Sequence, residues 1–494
     1  MTGHSHANDA VQLPETTPTS SGVSRATTAA VWALFALSVA TAVVSAAGGS
    51  AWRVPGSVVV DGLTAVVWVA VTFFSGIVHS YSRRYMAGNA NIDRFFALTF
   101  GFTLAVMVVA AADHVALFAA AWLAMGLTMA ALIGHAREWT QARAAGALTR
   151  RYFLASGGVL AGTLALLAWA TGTTTVSGIL SRADSLPPEL TWLAIAGLFL
   201  AAMIQSALFP FHDWLLSSMT APTPASALMH AGFVNAGGIL LARFAPVFAD
   251  VQLAMAALVV VGAASALLGQ AILLVRPDVK RRLGGSTVAQ MGFMILQCGL
   301  GFFAAAITHL ILHGFYKAYL FLSSGGAVER TAPAAGGRDG VTLPSLVVGL
   351  AAAVGGGAVF VALTGKGAEL DSGALLAFLV ALTALHAARD ALARANLSPG
   401  ATLVALPVLV VVPIAVYGVL FNAVAAMLTG VPMTHAPTEL SAVHVAVAAA
   451  FLAAYLAVEL GWHRSSKRLY AVILNISQPA PETELTTAED YNDA

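Results

Sequence analysis

The chain has 494 residues, 59% of them hydrophobic and 10% charged, with a formal net charge of +1 and a mean hydropathy of +0.82. That much apolar surface cannot be hidden in a soluble domain, so the sequence reads as an all-α polytopic membrane protein. The near-zero charge argues against a nucleic-acid partner, and long continuous apolar runs exclude a barrel of short alternating strands.

Residues 1–27 are polar and rich in Ser, Thr and Pro. They read as a disordered head, too polar to be a signal peptide, in which His4 and His6 belong to a flexible tail rather than a metal site. Apolar runs then follow near 29–47, 58–80, 95–112, 115–134, 152–171, 191–209, 224–245, 252–275, 287–302, 303–325, 343–364, 372–393, 402–428 and 440–461. These are about 14 spans. The one cysteine, Cys298, sits inside such a run and can form no intrachain disulfide. No zinc spacing, Walker motif or dinucleotide fingerprint is present, so no cofactor and no metal is expected in this chain. Uphill transport would need an ion gradient or a partner to drive it.

Basic residues gather in alternate loops: Arg83, Arg84 and Arg94; Arg137, Arg143, Arg150 and Arg151; Arg276, Lys280, Arg281 and Arg282; then Arg464, Lys467 and Arg468 after the last span. The positive-inside rule puts these loops, and with an even span count both ends, in the cytoplasm of a cell whose inner membrane the chain crosses many times. The tail from Pro481 carries Glu482, Glu484, Glu489, Asp490 and Asp493 and reads as a solvated end. Two spans look interrupted. One break is at Pro210, followed by His212, Asp213 and Trp214; the other is Gly365–Lys366–Gly367. Interruptions at membrane depth are tolerated where the freed backbone lines a cavity or binding site.

The run Ala305–Ala327 holds His309, His313 and Lys317 at i, i+4 and i+8, on one helix face. At about 1.5 Å per residue the row is roughly 12 Å long. Ionisable groups at membrane depth face a protein interior or a wet cavity. Three in register read as proton or cation handling, against the plainer reading of a polar stripe that glues helices together. Lys366 is a second candidate carrier, against a snorkelling loop lysine. His212 and Asp213 would line a cavity, meet a partner or cap a helix. Asp113 and His114 start a span, where a cap is the default. His386, Arg389 and Asp390 end a span on neighbouring turns, as an exit path or, more simply, a salt-bridged helix end. His444 and Glu459 read as helix-packing groups of the last span.

Several stretches together resemble a known family. They are Asp61-GLTAVVWVAV, His79-SYSRRYMAGN, Phe211-HDWLLSSMTAPTPASALMHAGFVNAGGILLAR-Phe244, Arg276-PDVKRRLGGSTVAQMGFMIL and His309-LILHGFYKAYLFL. In this order they resemble the antiporter-like proton-translocating subunits of respiratory complex I and of multisubunit sodium/proton antiporters, over about residues 58–390. The resemblance implies two inverted five-helix repeats, each with a broken helix. It divides the chain into N-terminal helices at 28–112, a first repeat at 113–250, a second at 251–395, C-terminal helices at 396–462 and a basic-then-acidic tail at 463–494. It also implies that His309, His313, Lys317 and Lys366 form an ion pathway, and that His230 links two half-channels. In the first repeat the family's glutamate is replaced by Leu123 and its lysine by Gln205. The Glu–Lys charge switch expected there is absent.

That departure, with Asp113-HVALFAAAWLAMGLTMAAL and Ala142-RAAGALTRRYFLASGG, resembles the DabB branch of membrane subunits. The branch implies a DAB inorganic-carbon uptake complex. In it, a membrane subunit with no catalytic centre of its own passes H⁺ or Na⁺ and powers a large soluble zinc-containing partner of the DabA type, similar to a carbonic anhydrase. The complex I paralogue runs on into a long lateral helix, for which this sequence holds no residues, and the DabB branch is therefore the expectation. The alternatives are a proton-translocating subunit of a complex I-like or hydrogenase-linked redox complex, and a sodium/proton antiporter subunit.

Overall fold

A computed structural model describes residues 21–48, 51–327, 343–394, 399–432, 435–462 and 466–484. The early head and the acidic residues Glu489, Asp490 and Asp493 lie outside the described residues. The helices are α1 (Gly22–Ala46), α2 (Gly62–Tyr85), α3 (Ile92–Ala111), α4 (Val115–Ile133), α5 (Thr140–Thr171), α6 (Val176–Leu180), α7 (Pro188–Gln205), α8 (Asp213–Ser217) and α9 (Thr223–Ala231). They continue as α10 (Ala236–Arg243), α11 (Gln252–Val275), α12 (Val279–Gly299), α13 (Phe303–Leu322), α14 (Leu343–Thr364), α15 (Gly373–Arg394), α16 (Pro399–Met427), α17 (Ala442–Glu459) and α18 (Lys467–Ile476). Among the described residues, twelve helices are long and apolar enough to cross a membrane, with Thr223–Arg243 taken as one. The long helices α12 and α13 pack among them and carry Lys280, Arg281, Arg282 and the His/Lys row. The arrangement is consistent with about 14 spans.

Helix α1 begins at Gly22, inside the stretch that reads as polar head. Ser21 caps it by accepting from Ser24 N, and the Ser24, Thr27 and Thr28 hydroxyls donate to carbonyls one turn back. Local bonds satisfy these side chains, so a polar sequence extends an apolar helix. Trp32 Nε1 donates to Ser80 Oγ, which sets α1 antiparallel to α2.

The helix ends sort into two faces. Tyr85 donates to Thr223, and Lys280 Nζ donates to the Met219 and Ala221 carbonyls, so the ends carrying the basic loops lie together. At the far face, a hairpin of Trp52–Val54 and Val58–Val60 covers the ends of α2 and α3. There Asp61 caps α2 and pairs with Arg243, which also donates to Thr64 and the Ala110 carbonyl. Both described ends of the chain lie at the basic face: α1 starts there, and Arg276 donates to Ser477 and Gln478.

The two interruptions differ. The first is a break within a span. Helix α7 stops at Gln205, the chain unwinds through Ala207 at φ 53°, and α8 resumes at Asp213. Freed groups find partners: Phe209 N donates to Ser265 Oγ, Ser206 Oγ to the Val234 carbonyl, and Trp214 Nε1 to the Ile204 carbonyl. The second is a connection rather than a break. Gly365 and Gly367, at φ 71° and 84°, turn the chain between α14 and α15, which pack side by side along their length.

Glycines bring α11 and α12 into backbone contact. A Cβ on Gly269 would lie 2.2 Å from Ala289 N, and one on Gly262 would lie 2.5 Å from Leu296 N. Without a hydrophobic drive between helices in lipid, such small-residue seams let dispersion hold the pair. This seam fixes the face of α12 that meets α13.

The Asp61–Arg243 pair is mostly buried, at 14% and 12% side-chain exposure. Arg243→Met leaves the Asp61 carboxylate without its partner. The expected loss is about 3–5 kcal/mol of stability, read as a lower melting temperature of the purified protein.

Candidate ion pathway

Helix α13 turns its two faces to different surroundings. Phe315, Tyr316 and Tyr319 are exposed on one side. His313 and Lys317 are buried on the other, against α9 and α12, with His309 partly covered beside them. Gly314 permits the close approach: a Cβ there would meet the Phe74 ring at 2.4 Å and the Ala231 carbonyl at 3.0 Å. The sequence-predicted row therefore faces the protein interior.

Its members interact in order. The His309 and His313 rings stack with centroids 5.9 Å apart and planes 18° apart. Lys317 Nζ donates to the Leu283 carbonyl at 2.9 Å. His230 joins from α9, its Nδ1 2.9 Å from Thr287 Oγ1 and its ring stacked on Phe321 at 4.3 Å. Lys317 and Lys280 both lie within electrostatic reach of His230, and His313 reaches the His230 backbone. The structure thus brings His230, His309, His313 and Lys317 into one cluster at the basic half of the protein. Sequence reasoning missed Thr287, Lys280 and Leu283. Their signal was the motif beginning at Arg276, where a threonine two residues past a glycine pair reads as ordinary packing.

Nε2 of His230, His309 and His313 is buried with no hydrogen-bond partner in the protein. A buried imidazole nitrogen in that state is open to water. Imidazoles in series can take a proton on one nitrogen and release one from the other.

Lys366 stands apart. It is 3% exposed and lies in the turn after α14, at the far face. Its Nζ sits 3.0 Å from the centroid of the Phe421 ring and 5.5 Å from that of Phe302. No hydrogen bond reaches it; the aromatic faces supply its only attraction of this kind among the described contacts.

The first half holds no matching charges. Gln205 is buried, and Ser156 Oγ lies 3.5 Å from its Oε1. Trp122 Nε1 donates to that same hydroxyl, so the neighbours of Gln205 are neutral. Leu123 packs on Gly157 of α5. His212 is buried at the break, with Nε2 3.2 Å from the Ile476 carbonyl and 3.7 Å from Asp213. The chain's own end covers it: Ala480 N donates to Ser217, Thr483 also meets Ser217, and Arg281 pairs with Glu484. Glu484, read as part of a solvated tail, is held at this strap.

The remaining predicted residues have structural partners. His386 and Arg389 both reach Glu459 of α17, at 3.3 and 2.9 Å, which is the salt-bridged helix end. His444 forms a capping box with Ser441 at the start of α17 instead of packing mid-span. His114 caps α4, and Asp113 accepts from Ser177. Among the described residues, no group of three His, Cys, Asp or Glu is placed to hold a metal ion.

Comparison with known proteins agrees with this geometry. Residues 112–338 match the model of the NADH:quinone oxidoreductase/Mrp antiporter membrane family. Residues 49–96 match that of the N-terminus of complex I chain 5. Over these residues the chain is similar to this antiporter-like family. DabB1 of Halothiobacillus neapolitanus, named a probable inorganic carbon transporter subunit, is 39% identical over 290 residues, covering 57% of this chain and 51% of that protein. DabB of Bacillus subtilis, named likewise, is 39% identical over 274 residues, covering 55% of this chain and 54% of that protein. The chloroplastic NAD(P)H-quinone oxidoreductase subunit 5 of Zygnema circumcarinatum is 35% identical over 56% of this chain and 40% of that protein. The chain spans about half the length of the curated relatives it matches. In fold it is similar to the Mrp complex of a Dietzia species, with a TM-score of 0.56 and 24% identity over 95% of this chain and 52% of that one. It is also similar to an archaeal membrane-bound sulfane sulfur reductase, with a TM-score of 0.58 and 17% identity over 93% of both chains.

Lys317→Ala removes the ammonium at the basic end of the row. It is expected to abolish coupled ion flux while leaving assembly intact. Flux across vesicle membranes measures this, and full activity in both Lys317→Ala and His313→Ala would rule the pathway out. Installing the missing pair, Leu123→Glu with Gln205→Lys, is expected to leave transport at the wild-type level.

Proposed function

We propose that this chain is the cation-conducting membrane subunit of an energy-coupled inorganic-carbon uptake complex, a transporter subunit and not an enzyme. One observation carries the reading: a buried His/Lys row in the second half stands beside a first half whose Glu–Lys switch is replaced by Leu123 and Gln205. A pump in which both halves work would need charge in both. The 39% identity to proteins named as inorganic carbon transporter subunits supports the same branch.

In this reading the coupling ion is the proton, because histidines and lysines move protons whereas Na⁺ is held by oxygen ligands. The partner is a large soluble subunit with a zinc site of the carbonic-anhydrase kind. Hydration of CO₂ releases a proton, and a zinc-bound water must lose one to act. A membrane path that carries protons down their gradient can draw that reaction toward bicarbonate. One elementary charge falling through about 100 mV releases about 2.3 kcal/mol. That equals roughly a forty-fold concentration ratio at about 1.4 kcal/mol per tenfold. The basic loops, and with them both described ends, face the cytoplasm of a cell whose inner membrane the chain crosses.

A second reading, a proton-translocating subunit of a redox complex, draws on the 35% identity to the quinone oxidoreductase subunit. The neutral first half speaks against it. The deciding experiment is labelled-bicarbonate uptake in a carbonic-anhydrase-deficient bacterial host, with this chain alone and with its gene neighbour. Uptake is expected only with both, and is expected to vanish with an uncoupler. No uptake from a well-assembled pair would favour the redox reading.

A further inference from the structure

The histidine row and Lys366 do not touch, and what lies between them is specific. His309 meets Phe293 of α12 with ring centroids 5.5 Å apart. One turn further along the same face is Gln297, 2% exposed, two residues before the end of α12. Its side chain comes within reach of the hydroxyl of Tyr417 on α16. The approach falls short of a full hydrogen bond, since Gln297 Oε1 and Tyr417 Oη are both buried without a partner. Tyr417 then stacks on Phe421, with centroids 6.2 Å apart and planes 6° apart, and the Lys366 ammonium lies over Phe421. Asn422 Nδ2 donates to the Leu363 carbonyl at 2.9 Å, which ties α16 to the end of α14 beside Lys366.

We infer that Gln297 and Tyr417 form the bridge by which protons pass between His309 and Lys366. The inference rests on the proton-conducting reading above and extends it. A helix otherwise as apolar as α16 gains nothing from an unpartnered hydroxyl in its interior, because a buried polar group left unpaired is costly. A phenylalanine would keep the stacking on Phe421 and avoid that penalty. The hydroxyl works as a relay: Tyr417 Oη accepts a proton from a water on the His309 side as its own proton leaves to a water on the Lys366 side. The side chain is neutral before and after the hop. Gln297 is a positioning residue. Its carboxamide orients the hydroxyl and the water that joins it to His309, and it carries no proton itself.

The test uses the full chain assembled with its partner subunit in vesicles, with proton flux read by a pH-sensitive dye under an imposed gradient. Tyr417→Phe is expected to lower flux about tenfold, less than a lost acid–base group usually costs, because water can span part of the gap. Gln297→Leu is expected to act in the same direction. Tyr417→His, which restores a group able to relay protons, is expected to recover flux. Assembly is expected to stay at the wild-type level, with the melting temperature of Tyr417→Phe at or above the wild-type value. If Tyr417→Phe disturbs assembly, Gln297→Leu decides alone. Wild-type flux in both Tyr417→Phe and Gln297→Leu, with Lys317→Ala inactive, would overturn the bridge and leave the conducting role standing. Equal loss in Tyr417→Phe and Tyr417→His would assign Tyr417 to packing and overturn the bridge as well. Equal flux in wild type and Lys317→Ala would remove the conducting role and the bridge together.

Discussion

Within an apolar slab a polar group has no solvent to fall back on, so each must find a partner in the protein or in internal water. Most of this chain obeys the rule by local means. Serine and threonine hydroxyls donate back to their own helices, as at Thr72, Thr99, Ser82 and Thr308. The exceptions occur in both halves, at His79, His135, Gln205 and His212 among others in the first, and one set runs beside the row of α13. His230, His309, His313, Gln297, Tyr417 and Lys366 each keep a buried polar atom unpartnered. These residues come from α9, α12, α13, α16 and the turn after α14, so several packing decisions had to agree to bring them near one another. The glycine seam between α11 and α12 and the close approach at Gly314 are what permit it.

The first half solves the same constraint differently. Where a charged pair would need water or a counter-ion, Leu123 packs on Gly157, and Gln205 shares Ser156 with Trp122. The helix break is kept, but its polar ends are closed by protein: Ser265 and Val234 inside, and the strap Ser477–Glu484 at the basic face. The break thus persists as architecture while its charges are gone. Asn235 Oδ1, Gln205 Nε2 and His212 Nδ1 remain buried and unpaired there.

Much of this was legible from the residues. Periodicity and apolar length located the spans, and the i, i+4, i+8 row lies on one buried face, as helical geometry requires. The cap at His114 and a salt-bridged end at His386 and Arg389 followed from their places at helix ends, but their partner Glu459 had read only as a helix-packing group. What stayed hidden depended on distance along the chain. Thr287 reaches His230, and Ser217 meets Ala480; no local pattern pairs such positions. The start of α1 was missed because serine and threonine read as solvated, whereas here their hydroxyls bond back along the helix. The turn at Lys366 was misread because glycines at positive φ end a helix and interrupt one with the same composition.

The asymmetry between the halves bears on how the proposed coupling is controlled. In a chain with a charge pair, separating the pair changes the affinity of its lysine for protons, and the chain can gate itself. Here the first half has no such pair, so a switch within this chain cannot act on the second half from there. Control has to reach the row from a group that touches it. Lys280 is the nearest candidate at the basic face: it is held by the Met219 and Ala221 carbonyls, which follow directly on α8. Helix α8 in turn carries Ser217, where the C-terminal strap is anchored. The strap and Lys280 are therefore joined through one short segment. The broken helix, which carries no Glu–Lys pair, ties the C-terminal strap to the residue beside the row.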